Sequence, residues 1–290
     1  MANLKDISRR IGSVKKTKQI TTAMKLVSGA RLRKATEQAL AARPFQQKLD
    51  ELLSSVLAKA ADDVSNPLFE RRETTKRIAM VLFTSDRGLC GAFNSSLLRR
   101  VVAFLNEKKD AGLEVSVLVF GRKGRDYLST RGIQSATVHL DWAKQDVAGL
   151  VQQTTEQVVA GFLDASYDEV YLAYNTFVNA LVQTPTIDTI LPFAPPQDNQ
   201  EGVLTLIEHK YEPSREGVLD TLVPLYLQTM VQQAALETTA GEFAARMTAM
   251  DNATRNASDL IDRLTLQFNR ARQAAITTEI IEIVSGAQAL

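Results

Sequence analysis

The sequence predicts an α/β chain in which long N- and C-terminal helices pair as an antiparallel coiled coil, with a Rossmann-like α/β domain inserted between them. Three observations carry this prediction. The last 66 residues contain no proline after Pro224, and from there the only glycines are Gly241 and Gly286. A helix of that length runs about 100 Å, roughly three times the diameter of a small domain. Residues 3–43 also lack proline. Between these ends, short apolar runs alternate with helix-length segments, the pattern of a parallel sheet covered on both faces.

Taken in order, Leu4, Ile7, Ile11, Val14, Ile20, Met24 and Val27 recur mostly at three- and four-residue steps, which predicts an amphipathic helix. It is expected to reach about Ala60 with a kink at Pro44. Asn66-Pro67 and Arg71-Arg72-Glu73 then close the segment as a loop. The continuous apolar run Ile78–Phe83 predicts a buried strand, followed by a turn at Ser85-Asp86-Arg87-Gly88. A helix is expected from Phe93 to Asp110, a strand from Val115 to Phe120, a short helical piece over Gly124–Ser129, and a weak strand over Ala136–Leu140. A further helix over Lys144–Leu163 leads to a strand at Glu169–Tyr174. Val178 to Leu191 alternates in polarity as a solvated edge strand does, Pro192–Gln200 reads as a loop, and Leu204–His209 as one more strand. The last helix begins near Ser214. The expected division is a coiled-coil helix over 1–60, an α/β domain over 75–210, and a coiled-coil helix over 214–290.

From Leu222 onward the apolar positions of the last helix repeat by sevens. Phe243, Met250, Ala257, Leu264 and Ala271 form one row, and Met247, Ile261, Phe268 and Ala275 the other, with Thr254 filling the gap. That is the seam of a left-handed coiled coil. Beyond Ala275 the seam dissolves, because Ile276, Ile280, Ile281, Ile283, Val284 and Leu290 point all round the axis. A helix apolar on every side needs burial on every side, so this terminus calls for a surrounding partner.

Charge is unevenly spread. Residues 1–48 hold twelve basic side chains against Asp6 and Glu37, which makes them +10 within a chain of net charge +1. An acidic partner for the basic end follows. Cys90 is the only cysteine, so no internal disulfide can form and a reducing compartment is expected. No run of 18 apolar residues exists, which excludes a helical membrane span, and the N-terminus shows no apolar signal core.

Gly88-Leu89-Cys90-Gly91 and Gly121-Arg122-Lys123-Gly124 each follow a strand, where phosphate loops lie in doubly wound sheets. Neither matches a dinucleotide or P-loop fingerprint, so tight strand-to-helix turns are the simpler reading. Arg87 lies beside Cys90, but His139 and His209 are remote from it, so a packed thiol is expected rather than a nucleophile. Two histidines and one cysteine do not make a structural zinc site, and no cofactor is predicted. Two rival classes stay open on the residues alone. A basic coiled coil binding nucleic acid would explain the charge but not the apolar tail, and only Phe45 offers a stacking ring in the first 60 residues. A small α/β enzyme with helical arms would need a catalytic constellation that the chain does not display.

Three stretches carry a family resemblance. The run from Ile11 to Val27 (IGSVKKTKQITTAMKLV), the run from Ser85 to Gly91 (SDRGLCG), and the run from Asn269 to Ala287 (NRARQAAITTEIIEIVSGA) resemble the N-terminal, central and C-terminal signatures of the gamma subunit of F-type ATP synthase. They occur in the right order, and the likeness spans the whole chain. The inserted paired-cysteine segment of the redox-regulated chloroplast form is lacking and no mitochondrial leader is evident, so a bacterial version is expected.

The resemblance implies a non-catalytic rotor shaft, one copy per complex, inside a ring of three alpha and three beta subunits. Its rotation would couple ion transport through the c-ring to ATP synthesis or hydrolysis. It would attach at its foot to the c-ring and the epsilon subunit, bind no nucleic acid, and meet the cytoplasmic face of the bacterial plasma (inner) membrane peripherally, only through the c-ring. By alignment of motifs, Met24, Arg246, Gln273 and Thr277 match positions that contact the beta subunits. Lys18, Lys25, Arg31 and Arg33 form a basic shaft face toward acidic levers of beta. Ile276, Ile280, Ile283 and Val284 enter the apolar bearing. Asp86, Arg87, Cys90, His209 and Tyr211 belong to the foot.

Overall fold

A computed structural model describes residues 4–58, 66–193 and 215–288. The chain forms two compact units, one of Met1–Gly29 with Arg246–Leu290 and one of Ala30–Ala245. The element order is α1 (Leu4–Ala58), β1 (Arg77–Phe83), α2 (Phe93–Asp110), β2 (Glu114–Phe120), α3 (Arg122–Ser129), β3 (Thr137–His139), a 3₁₀ turn at Trp142–Lys144, α4 (Val147–Leu163), β4 (Glu169–Phe177), β5 (Gln183–Leu191) and α5 (Arg215–Gln288). Helices α1 and α5 each contribute residues to both units.

The second unit holds one five-stranded sheet of order β3-β2-β1-β4-β5. The first four strands are parallel and β5 is an antiparallel edge. One face of the sheet (Ala79, Val81, Phe83, Leu118, Phe120, Val170, Leu172) packs on α4, on Leu49, Leu53 and Val56 of α1, and on α5 from Leu219 to Ala235. The other face (Ile78, Met80, Leu82, Val117, Val119, Tyr171, Ala173) packs on Leu97, Leu98, Val101 and Leu105 of α2 and Leu128 of α3. Burial on both faces is why β1 reads as an unbroken apolar run rather than an alternating one.

Among the described residues the expected elements are present, with shifted boundaries that local chemistry explains. Residues 178–182 form the β4–β5 turn rather than the start of an edge strand. The Asn179 side chain accepts from Leu181 N and Val182 N, both at 2.9 Å, an arrangement in which an Asx side chain replaces ladder bonds. Helix α4 starts at Val147 instead of Lys144 because Asp146 caps it, accepting from Gly149 N. Pro44 and Pro224 both sit inside continuous helices. Around Pro224 the helix is held by Leu219, Val223 and Leu227, all buried in the core. The expected strand at Leu204–His209, and with it His209, Tyr211 and Leu290, lies outside the described residues.

The segment leading into β1 is fastened by one carboxylate. Asp168 accepts from Lys76 N at 2.7 Å, Arg77 N at 2.8 Å and Arg72 Nη1 at 2.8 Å, while the Arg72 guanidinium lies 5.1 Å from the Phe162 ring centroid. Burial pushes the Asp168 carboxyl up, but the two backbone N–H groups and Arg72 outweigh it and hold its pKa below the usual value. A depressed folded pKa stabilises the fold above the unfolded value, about 3.9, and that contribution fades as pH falls through the folded value. Asp168→Asn is therefore expected to cost about 1.5 to 3 kcal/mol at neutral pH, the range for hydrogen bonds to a charged group, because half-buried Arg72 loses its carboxylate partner. The gap from the parent should narrow toward pH 3 in urea unfolding. A gap that is constant with pH would show that the carboxylate charge is not what fastens this segment.

Candidate functional site: a helix pair with an open apolar end

In the first unit, α1 and α5 pair antiparallel. Lys18 Nζ donates to Ser258 Oγ at 3.1 Å, Thr254 Oγ1 to Thr21 Oγ1 at 2.8 Å, and Lys25 Nζ to Asp251 Oδ1 at 2.5 Å. The Cβ direction of Gly29 points at Met247 Sδ. As α1 advances, its partners in α5 recede. The α5 seam follows the heptads: Met250, Ala257 and Leu264 are buried, and Phe243, Met247, Thr254, Ile261, Phe268, Ala271 and Ala275 half-buried.

The α1 seam departs from the expected one. Its inward positions also repeat by sevens, as Leu4, Ile11, Lys18 and Lys25 and as Ile7, Val14, Thr21 and Ser28. Ile20 and Val27, which the apolar spacing placed on this face, are 61% and 54% exposed. From Lys18 to Ser28 the pair is therefore inverted, polar within and apolar without. The two lysine stems cover apolar seam while their ammonium groups reach oxygen acceptors at its border. The signal available in sequence was the phase set by Leu4, Ile7, Ile11 and Val14, which carries forward to Lys18 and Lys25 regardless of polarity.

Beyond Ala275 none of the described residues covers the helix. Ile276, Ile280, Ile281, Ile283 and Val284 are all exposed, Ile280 at 54% and Ile283 at 71%. At about 3.6 residues per turn these five share one broad face, with exposed Thr278, Glu279 and Glu282 on the other, so the end is one-sided rather than apolar all round the axis. An exposed apolar face of this kind marks an interaction site.

The other site residues divide clearly. Met24 is half-buried beside the seam, Arg246 is buried, and Gln273 and Thr277 are exposed, with Thr277 Oγ1 donating back to Gln273 O. Lys18 and Lys25 face α5 rather than outward. Arg33 pairs with Glu37 at 3.1 Å, and in the second unit the Arg31 guanidinium lies 5.6 Å from the Phe243 ring centroid. Asp86 accepts from Arg122 N, and Arg87 O accepts from Ser85 Oγ. Cys90 is buried, its Sγ accepting from Asn94 Nδ2 at 3.2 Å, so it is a packed thiol.

The sheet has a ligand crevice by topology, where the connections from β1 and β4 leave in opposite directions at the carboxyl ends of the strands. Here α5 fills it. Phe177 N, at the end of β4, donates to Glu237 Oε2 at 3.0 Å, and Gln233 Nε2 holds Glu237 Oε1 at 2.8 Å. A Cβ at Gly241 would lie 2.9 Å from Phe93 Cε2, on the first residue of α2. The turn after β1 satisfies itself: Ser85 N donates to Asn94 Oδ1 and Phe93 N to Cys90 O. Among the described residues no cluster of histidine, cysteine and carboxylate side chains fits a metal, and no helix is long and apolar enough to cross a membrane.

These features define a protein whose two long helices pair into a shaft with an uncovered apolar end, and whose doubly wound sheet has its ligand crevice closed by one of those helices. The family model described as ATP synthase matches residues 3–290. The ATP synthase gamma chain of Pelotomaculum thermopropionicum is 47% identical over 290 residues, covering all of both chains. That of Geobacter metallireducens is 45% identical over 296 residues, covering all of this chain and 99% of the relative. The chain belongs to the ATP synthase gamma-chain family. Among solved structures, the central stalk and c-ring structure of Tetrahymena thermophila mitochondrial ATP synthase contains a chain 28% identical with a TM-score of 0.58, covering 81% of this chain and 99% of that one. The rotor of Euglena gracilis mitochondrial ATP synthase shares the fold at 19% identity and a TM-score of 0.66, covering 94% of this chain and 98% of that one.

Proposed function

We propose that this chain is the central rotor shaft of an F-type ATP synthase, non-catalytic itself, turning inside a ring of three alpha and three beta subunits with one copy per complex. The observation that carries this reading is the α5 end from Ile276 to Val284, where five large apolar side chains on one broad face are exposed in the chain by itself. A sleeve of apolar side chains around it buries the surface without directional bonds, and so permits rotation. The inverted stretch of α1 fits the same role, because Ile20 and Val27 face outward as an apolar surface for a partner, and exposed Arg31 and Arg33 are the proposed contacts of acidic levers of beta. With Lys18 and Lys25 turned to α5, the outward charge falls to the arginines. Met24, Arg246, Gln273 and Thr277 are the proposed beta contacts. In this reading the stalk comprises residues 1–60 and 214–290, and the foot comprises residues 75–210, with Asp86, Arg87, Cys90, His209 and Tyr211 assigned to it. The foot engages the c-ring and the epsilon subunit at the cytoplasmic face of a bacterial plasma membrane, which the chain touches only through them. The closed crevice supports a shaft that binds no nucleotide.

The test is copurification followed by single-molecule observation. Expressed with the alpha and beta chains of the same operon, the chain should come out in a hexameric ring, and a bead on the foot should turn while the ring hydrolyses ATP. An ATPase ring that forms and runs without the chain, or with the bead stationary, would overturn the reading.

A further inference from the structure

We propose that Glu237 and Gly241 are positioning residues through which the sheet grips α5, so that turning force on the α/β unit enters the shaft helix at this point; the proposal rests on the rotor reading above. Three elements converge on one short stretch of α5 in the second unit. The end of β4 gives the Phe177 N–H to the Glu237 carboxylate, and Gln233 one turn earlier fixes that carboxylate from the other side. The start of β5 lays Gln183 Cγ 3.2 Å from where a Gly241 Cβ would be, and the Phe93 ring of α2 lies nearer still, at 2.9 Å. Phe93 is itself tied back to the sheet, because Asn175 Nδ2 of β4 donates to Phe93 O at 3.1 Å. One ring of contacts therefore runs from β4 to α5 to α2 and back to β4.

This geometry differs from ordinary core packing in direction. Apolar contacts from Leu219 to Ala235 hold α5 against the sheet face and set which side faces inward, but being non-directional they fix its fine rotational setting less sharply than a hydrogen bond does. A hydrogen bond to a backbone N–H at the strand end and a ring wedged against a bare Cα both define the rotational setting of α5. Helix α5 continues without a break from Arg215 to Gln288, so force applied at 237–241 acts on the same continuous helix that forms the α5 seam. Gly241 costs helix propensity of about 1 kcal/mol relative to alanine; the Phe93 contact explains why it is there.

The whole complex in membrane vesicles tests this, with ATP-driven proton pumping divided by ATP hydrolysis in the same vesicles as the readout. Glu237→Ala and Gly241→Val should each lower that ratio by about threefold or more while hydrolysis stays within about twofold of the parent. Glu237→Gln, which keeps an oxygen acceptor for Phe177 N–H, should stay near the parent ratio. Phe93→Ala added to Gly241→Val makes room for the new side chain and should restore most of the loss, the coupling expected of residues in contact. Amide exchange at Phe177 in the isolated full chain should rise about tenfold in Glu237→Ala. If Glu237→Ala and Gly241→Val leave the ratio unchanged, the proposal is wrong, even when Phe177 exchange shows the contact opened. The rotor reading would survive that result. It would instead fail if pumping by the parent complex did not depend on this chain at all. Should Gly241→Val not assemble, Glu237→Ala against Glu237→Gln decides the matter.

Discussion

Gly121→Ala is expected to destabilise the α/β unit by about 4 kcal/mol or more, among the largest effects a single added methyl group can have. Gly121 has φ +103°, and a Cβ there would lie 2.2 Å from Thr84 O and 2.7 Å from Thr84 C. Those are backbone atoms, and they cannot swing aside. Thr84 N donates to Phe120 O at 2.8 Å, Thr84 O accepts from Trp142 Nε1 at 3.0 Å, and Thr84 Oγ1 accepts from Gly124 N at 2.9 Å. Relief would require β1 and β2 to part at their carboxyl ends, where Phe83 and Phe120 stack with centroids 4.4 Å apart. Gly112→Ala is the control. It shares a left-handed backbone, φ +81°, but has nothing within 4 Å of the new methyl, so only the conformational term of about 1 to 2 kcal/mol should appear. Urea midpoints for the two variants separate clash from backbone strain. Equal losses would show that the β1–β2 ends yield more easily than their hydrogen bonds suggest.

Ile280→Asp should have the opposite profile, with little change in the chain and a large change in the complex. Ile280 is more than half exposed, and exposed substitutions away from caps and cores usually stay within about 0.5 kcal/mol, so thermal unfolding of the isolated chain should not move appreciably. Placed in an apolar sleeve, the carboxylate must be desolvated without a partner, or else protonated, at a cost of several kcal/mol. Recovery of the chain in the assembled ring should then fall by about tenfold or more, since each 1.4 kcal/mol is a factor of ten. A variant that folds and assembles like the parent would remove the apolar end from the list of working surfaces. A variant that fails to fold would mean that the end is covered within the chain.

The seam of α5 was readable because a coiled-coil face is a property of one helix. Met250, Ala257 and Leu264 are spaced by sevens in the chain and buried in the fold for the same reason. The apolar end was readable for a similar local cause, since five large apolar side chains within nine residues stand out from the seam, although the helix turn puts them on one face with Glu279 and Glu282 opposite. The α1 seam was only half readable. Its first four apolar positions gave the phase, but Ile20 and Val27 drew the reading off it. What holds Lys18, Thr21 and Lys25 inward is Ser258, Thr254 and Asp251, more than 220 residues away. A polar side chain on a seam is stable only if its partner is there to receive it, and sequence spacing does not supply the partner.

The sheet shows the same division. Its strands, and the burial of both faces of β1, follow from composition and length. The closure of its crevice does not, since Phe93, Phe177, Glu237 and Gly241 have no common periodicity or motif and meet only where β4, α2 and α5 are packed together. The packed thiol expected at Cys90 rested only on the remoteness of the histidines; its burial against Asn94 supplies the positive reason. The sequence by itself determined the two long helices, the parallel sheet between them, the seam of α5 and its uncovered end, because each is set by side chains a few residues apart. The tertiary structure alone decided which face of α1 turns inward and what occupies the ligand crevice, because both depend on hydrogen bonds and close contacts between residues far apart in the chain.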